Sequence, residues 1–292
     1  MMKTKILCMV ICQAVFSLNC SEAQIDNNTQ NVTQPVPNQP VGNSKIVSFN
    51  RPDAPYTDQM AKEDFGNIDR LREAVNAKIV NNTLNLRLPK NTHSDRASTD
   101  GSGDGLRFNV DLEDGEEYEM SFKVKFDKNF QFSRGGKIGP GLVIGKGSSG
   151  CVNAGKTDGA SVRFMWYSSD GGFSKEGNDV FFQPYLYFVD QDDRCGETYS
   201  RKSVKLQTEK WYKLYMRVKS NTETNKNGSV LLKVDNDILY QNDAFRWTTV
   251  NTTDRLVNRL SFNLFRGGSS DNWMASEDGF VSFDDIEWRK IK

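Results

Sequence analysis

Basic and hydroxyl-bearing side chains concentrate in one part of this sequence, and their types suit the binding and deprotonation of an anionic ligand. Residues 128–167 contain one acid, Asp158, whereas the whole chain balances 38 basic against 38 acidic residues. The basic residues of this segment are Lys128, Arg134, Lys137, Lys146, Lys156 and Arg163. Arginine can grip a carboxylate with two parallel hydrogen bonds. The opposing interpretation is a solvated basic loop.

Two strand-like segments in and after this region carry polar side chains at a spacing of two residues. Because side chains two apart in a β-strand share a face, Ser161 and Arg163 should point the same way. The same rule groups Gln183, Tyr185 and Tyr187 on one face of the segment 181–188. Such a surface could hold an acidic sugar chain, or it could be the solvent-facing side of a sandwich. Spacing alone leaves both open.

Composition excludes much conventional enzyme chemistry. The only histidine is His93, in a polar stretch that we expect at the surface, so His-rich metal sites and a Ser-His-Asp triad have little support. No phosphate-binding glycine motif stands between a strand and a helix. The balanced charge argues against a nucleic-acid partner, and no apolar run is long enough for a membrane span.

The elements that must position these residues read as β-strands. Tyr118–Phe126 alternates apolar and polar residues, as a half-buried strand does. Residues 211–218 and 230–234 predict a hairpin around a polar turn, and residues 260–264 and 280–284 predict further strands. One short helix is expected within Asp64–Val80. This pattern predicts an all-β fold, a β-jelly roll made of two antiparallel sheets.

The first residues resemble a secretory signal. A basic start and an apolar core predict a signal peptide over 1–23, with cleavage after Ala23. A lipoprotein signal at Cys20 is the weaker alternative. Residues 24–44 read as a disordered leader and 45–292 as a single catalytic domain. We therefore expect a secreted, extracellular protein, with possible glycosylation at five N-x-[ST] sequons, namely Asn27, Asn31, Asn81, Asn227 and Asn251.

Only two cysteines remain after the predicted cleavage site, Cys151 and Cys195. An even pair in an oxidising compartment predicts a disulfide between them, with two free buried thiols as the alternative.

At these residues the sequence resembles polysaccharide lyase family 14, which contains alginate lyases and related glucuronan-cleaving enzymes. Three elements in order carry the resemblance: Gly135-Gly136-Lys137-x-x-Pro140-Gly141-Leu142, then Ser161-x-Arg163-x-Met165-Trp166, then Tyr185-x-Tyr187. The resemblance extends over about Lys45 to Lys292. It departs from the family at Tyr167, where a basic residue is frequent, and in having only one cysteine between Lys137 and Ser161.

The resemblance implies a jelly roll with an open substrate cleft and no required cofactor or metal. It implies catalytic roles for Lys137, Ser161, Arg163, Tyr185 and Tyr187. We further expect substrate contacts from Arg134, Gln183, Trp166 and Arg266. The expected partner is an acidic polysaccharide, and the chain is expected to act as a monomer.

The implied reaction is β-elimination of a 4-linked uronate polymer, with alginate and its poly-mannuronate blocks as the first expectation and glucuronan as the alternative. Arg163, helped by Gln183, would neutralise the carboxylate, and Ser161 would orient a tyrosine. The base could be Lys137 or one of the two tyrosines. We expect the clustered cations to lower the pKa values of the lysine and of the tyrosines. A secreted carbohydrate-binding module stays possible. A glycoside hydrolase would need paired carboxylates, and neither motif strand contains an acid.

Overall fold

The computed structural model describes residues 44–94, 97, 103–152, 158–168, 179–199 and 204–292. The predicted signal peptide, most of the predicted leader and the sequons at Asn27 and Asn31 lie outside these residues, and the domain boundaries stay predictions. The other three sequon asparagines are exposed at the surface, and their glycosylation also stays a prediction.

The described residues form two antiparallel sheets, which confirms the predicted jelly roll. The larger sheet has nine strands. They are β1 (Lys45–Val47), β2 (Ala54–Pro55), β3 (Ala77–Val80), β4 (Thr83–Leu88), β6 (Glu117–Phe126), β11 (Trp211–Lys219), β12 (Gly228–Val234), β13 (Asp237–Phe245) and β15 (Gly279–Lys290). The smaller sheet has six strands. They are β5 (Leu106–Gly115), β7 (Gly135–Lys137), β8 (Pro140–Gly145), β9 (Gly159–Ser168), β10 (Val180–Tyr187) and β14 (Val257–Arg266).

Strand order places the sequence motifs side by side in the smaller sheet. Its main path runs β10-β9-β7-β14-β5, and β8 pairs with both β9 and β14. The strand predicted over 118–126 is β6, and the predicted hairpin is formed by β11 and β12. The strands predicted near 260–264 and 280–284 are β14 and β15.

The predicted range of the helix contains only a short 3-10 helix, Ala74–Asn76, and the α-helix begins earlier in the chain. Helix α1 spans Asp58–Phe65, because the Thr57 hydroxyl accepts a hydrogen bond from the Met60 N–H and Gly66 ends the helix in a positive-φ conformation. His93 is buried rather than exposed, so its expected surface position was wrong. None of the helices among the described residues is long and apolar enough to cross a membrane.

The core fills the space between the sheets with aromatic and aliphatic side chains. Phe122 of β6 meets Phe164 of β9 at 6.1 Å between ring centroids, and Phe262 of β14 meets Phe283 of β15 at 5.2 Å. Each smaller-sheet strand therefore turns alternate residues toward this core. The residues between them face away from the larger sheet.

Candidate active site

The outward face of the smaller sheet brings together four of the five predicted catalytic residues in one cleft. The antiparallel register sets Arg163 of β9 opposite Tyr185 of β10, and Ser161 opposite Tyr187. Lys137 of β7 lies opposite Met165 of β9. Directly opposed residues share a face, so the strand pairing alone collects these side chains.

The cleft has a volume of about 540 Å³. Lys137, Arg163, Tyr185 and Tyr187 line it. Its other cationic lining residues are Arg72, Arg107 and Arg194, and no carboxylate occurs among the lining residues that the structure describes. The cleft is therefore a basic trough, which attracts anionic ligands.

A second cavity of about 360 Å³ continues the cleft along the sheet. Both cavities are lined by Arg163, Asn109, Asn263 and Ser149. The second cavity, but not the first, is also lined by Ser161, Lys146 and Arg259. The two cavities together form one groove along the outward face of the smaller sheet.

Lys137 and Arg163 are buried basic residues packed on the tyrosine pair. Each is only 7% exposed. The Lys137 Nζ atom lies 3.6 Å from the Tyr185 ring centroid, and the Arg163 guanidinium carbon lies 5.3 Å and 5.5 Å from the Tyr185 and Tyr187 centroids. The faces of the aromatic rings favour positive charge at these positions.

The electrostatics of the cluster differ between lysine and tyrosine. Burial, and then the neighbouring charge of Arg163, lower the pKa of Lys137 well below its usual value. Burial, followed by the adjacent Tyr187, raises the pKa of Tyr185. The expected direction is confirmed for Lys137 and was wrong for Tyr185, because loss of hydration outweighs the nearby Arg163 charge.

Hydrogen bonds fix the remaining members. The Arg163 Nη2 atom donates to the Ser161 hydroxyl at 3.3 Å, and that hydroxyl donates to the Ser148 carbonyl at 2.7 Å. Ser161 thus orients Arg163, whereas the sequence analysis expected it to orient a tyrosine. The Tyr185 and Tyr187 hydroxyls lie 3.3 Å apart. Tyr187 is only 1% exposed, and Tyr185 is the more accessible of the two.

Glycine allows the arginine to reach the cleft. A Cβ atom at Gly141 would lie 2.7 Å from the Arg163 Cγ and 2.5 Å from the Val162 carbonyl oxygen. The Arg163 side chain therefore crosses β8 where no side chain obstructs it.

Two predicted substrate contacts are contradicted by burial. Trp166 is fully buried, and its indole N–H donates to the Phe132 carbonyl at 2.7 Å. Arg266 is fully buried in an ion pair with Asp104 at 3.4 Å. Both lie an odd number of residues from the cleft-facing positions of their strands, so both point into the protein and cannot reach a polymer.

The other two predicted contacts lie near the cleft but line neither of these cavities. Arg134 is half-buried, with its guanidinium 5.1 Å from the Trp273 ring centroid and its Nε donating to the Tyr167 hydroxyl at 3.3 Å. Gln183 shares the face of Tyr185, is buried, and lies opposite Met165. Their contacts with substrate stay predictions.

Sequence reasoning missed the polar residues that β5 and β14 contribute. Asn263 of β14 lies opposite Arg107 of β5, and Ser261 lies opposite Asn109. The signal was present, since these residues alternate with the apolar Leu106, Phe108, Phe262 and Leu264. What the sequence did not show is that both strands join the motif strands in one sheet.

The predicted disulfide is confirmed: Cys151 is bonded to Cys195. Within the residues that the structure describes, no group of three or more His, Cys, Asp or Glu side chains is arranged to hold a metal ion.

Comparison with known proteins identifies the family. The sequence model of polysaccharide lyase 14 matches residues 76–286. The curated relative exolysin of Paramecium bursaria Chlorella virus 1 is 29% identical over 196 residues, which is 59% of this chain and 29% of that protein. The chain thus spans less than a third of that relative.

Solved structures agree with this match. Alginate lyase Aly36B is 32% identical, with a TM-score of 0.75 over 87% of this chain and 99% of its own. A double mutant of that enzyme in complex with alginate tetrasaccharide has a TM-score of 0.77 over the same shares and is also 32% identical. The alginate lyase of Aplysia kurodai shares the fold at 19% identity, with a TM-score of 0.64 over 86% of this chain and 99% of its own. The chain belongs to the polysaccharide lyase 14 family.

Proposed function

We propose that this protein cleaves alginate by β-elimination, preferring poly-mannuronate blocks, and that it acts outside the cell. One observation supports the lyase proposal most strongly: the Arg163 guanidinium is buried in the cleft beside Lys137, and no carboxylate pairs with it within the described part of the chain. Buried charges are normally paired, because removing them from water is costly. A uronate carboxylate is the partner that this arrangement lacks.

Arg163 binds that carboxylate in this proposal. Its Nε atom is buried without a hydrogen-bond partner among the described residues, and Ser161 holds its Nη2 atom. Neutralising the carboxylate makes the adjacent C-5 proton more acidic, since the negative charge that develops there is then stabilised.

Lys137 is the base. An amine can accept a proton only when it is uncharged, and burial beside Arg163 favours the uncharged form. Lys137 takes the C-5 proton, the C–H electron pair becomes the C-4=C-5 double bond, and the C-4–oxygen bond breaks.

Tyr185 is the acid. Its raised pKa keeps the phenol protonated, so it can give its proton to the departing glycosidic oxygen. The resulting phenolate is stabilised by the new ammonium of Lys137, whose Nζ lies 3.6 Å from the ring centroid. Transfer of one proton from Lys137 back to Tyr185 restores both groups. Tyr187, almost fully buried, supports Tyr185 through the contact between their hydroxyls.

The relatives support the choice of alginate. Aly36B is named as an alginate lyase, and the structure of its double mutant contains an alginate tetrasaccharide. Glucuronan is the alternative substrate, because its 4-linked uronate also presents a carboxylate beside the C-5 proton.

The test compares Lys137→Arg with Lys137→Ala on poly-mannuronate, poly-guluronate and glucuronan, following absorbance of the new conjugated double bond. Arginine keeps the positive charge but does not deprotonate in proteins. If Lys137 is the base, both variants lose about 10²-fold or more of kcat. Substantial activity in Lys137→Arg alone would assign Lys137 to charge neutralisation. Binding of a polymer by the wild type without unsaturated product would instead support a carbohydrate-binding module.

Secretion needs a separate experiment. Expression of the full chain in a eukaryotic secretion host should release protein that begins at Gln24, as read by N-terminal sequencing. Retention of the whole chain inside the cell would contradict the proposed location.

A further inference from the structure

Two loops contact the tyrosine pair, one through a backbone hydrogen bond and the other by close packing on the rings. The Cys151 N–H donates to the Tyr187 hydroxyl at 2.9 Å. The Gly196 backbone interacts with the Tyr185 hydroxyl and opposes the rise of the Tyr185 pKa caused by burial. The pair therefore depends on contacts that lie outside the strand carrying it.

The disulfide connects these two loops. Cys151 belongs to the first loop, and Cys195 immediately precedes Gly196 in the second, 44 residues further along the chain. The second loop also packs closely on both rings. A Cβ atom at Gly196 would lie 2.6 Å from Tyr187 Cε2 and 2.9 Å from Tyr185 Cζ.

Backbone pairing anchors the second loop on β10, because Glu197, next to Gly196, exchanges two hydrogen bonds with Leu186. The disulfide ties the first loop to this anchored loop. Arg163 and Lys137 stand on strands that are paired on both sides within the sheet, so their positions do not require the disulfide. Cys151 has a positive φ of 59°, a conformation that non-glycine residues seldom adopt unless surrounding contacts hold them. Loss of the cross-link should therefore release the first loop, with its N–H donor to Tyr187, while leaving the carboxylate-binding cations in place.

We propose that the Cys151–Cys195 disulfide is a positioning device for the acid of the reaction, which keeps the Cys151 N–H on the Tyr187 hydroxyl and thereby holds that hydroxyl against the Tyr185 hydroxyl. The inference rests on the proposed function, because it assumes that Tyr185 protonates the leaving oxygen. Donors to a phenol oxygen are worth most when that oxygen becomes negative, which happens only as the proton leaves. Reduction should therefore lower kcat by a larger factor than it raises KM.

The test measures kcat and KM of the full-length wild type before and after treatment with dithiothreitol, with folding checked by circular dichroism at the assay temperature. The control is Cys151→Ser/Cys195→Ser, which should match the reduced enzyme and should not respond to the reductant. We expect kcat to fall about tenfold or more, since misplacing a catalytic group by about 1 Å can cost about 10²-fold, while KM changes by a smaller factor.

A second variant keeps the test informative if the reduced enzyme unfolds. Gly196→Ala retains the disulfide but pushes a methyl group onto both rings, so it should produce the same selective loss of kcat. Unchanged kcat in the folded, reduced enzyme, or unchanged kcat in Gly196→Ala, would overturn the inference. If the oxidised wild type cleaves none of the three uronate polymers, the proposed function itself has failed.

Discussion

Replacing Lys137 by methionine should remove activity and stabilise the fold at the same time. Methionine has nearly the length of lysine and no charge, so it can fill the same space at the 7% exposed site. It also removes an amine whose charged form is disfavoured by burial and by Arg163. We expect a gain of about 1–3 kcal/mol in the free energy of unfolding at neutral pH.

The gain should depend on pH, with a definite sign. The folded-state pKa of Lys137 is lowered, so between that value and the unfolded value of about 10.4 the unfolded chain binds more protons than the folded protein. Wild-type stability therefore rises with pH in this window, by up to about 1.4 kcal/mol per pH unit. The methionine variant has no such contribution. Its stability advantage over the wild type should therefore be larger at pH 7 than at pH 10.

The assay is urea unfolding of both proteins at the two pH values, with Lys78→Met as the matched control. Lys78 is exposed on β3 of the other sheet, so its replacement should give no pH-dependent gain. At about 2–4 °C per kcal/mol for a domain of this size, thermal unfolding should show the same ranking. A Lys137→Met protein that is less stable than wild type, or equally favoured at both pH values, would refute the assignment of Lys137 as a destabilised buried amine.

Three other outcomes follow from the structure. Arg266→Ala should cost about 3–5 kcal/mol of stability in urea unfolding, because it leaves the Asp104 carboxylate buried without its ion-pair partner. The kcat per folded molecule should stay near the wild-type value. A loss of kcat with unchanged stability would return Arg266 to the substrate site. Arg259→Ala should raise KM about fivefold for long polymers but not for the shortest cleavable oligomers. The reason is that one hydrogen bond from this arginine to substrate at the second cavity is worth about 1 kcal/mol. Equal effects on both lengths would argue against a subsite there. The plot of kcat against pH should reach its plateau at a pH below the usual lysine pKa and stay high in alkaline solution. Lys137 must be uncharged to act as the base, and Tyr185 must be protonated to act as the acid. A kcat that rises only above the usual lysine pKa would contradict these roles.

Local alternation predicted the faces of the motif strands well. The two-residue spacing of Ser161 and Arg163, and of Tyr185 and Tyr187, predicted shared faces, and the structure sets each pair opposite the other in adjacent strands. The contributions of β5 and β14 were not predictable in this way. Their places in the sheet depend on pairing between segments far apart in the chain, which no local pattern encodes.

The errors have a physical cause as well. Trp166 and Arg266 were assigned to substrate because they stand inside or beside motifs, although alternation already turned both toward the core. The direction of the Tyr185 pKa shift was mistaken because a sequence shows neighbouring charges but not the depth of burial. For Lys137 the two effects act in the same direction, so the expectation held.

Strand β9 has a consequence for how this protein can change. Ser161 and Arg163 face the cleft, whereas Val162 and Phe164 are completely buried. Inserting or deleting one residue ahead of Arg163 would exchange the two sets, placing a guanidinium in the core and a phenyl ring in the trough. Point substitutions at the cleft positions leave that alternation intact. Diversification of substrate preference along this strand is therefore open to replacement of side chains but closed to changes in its length.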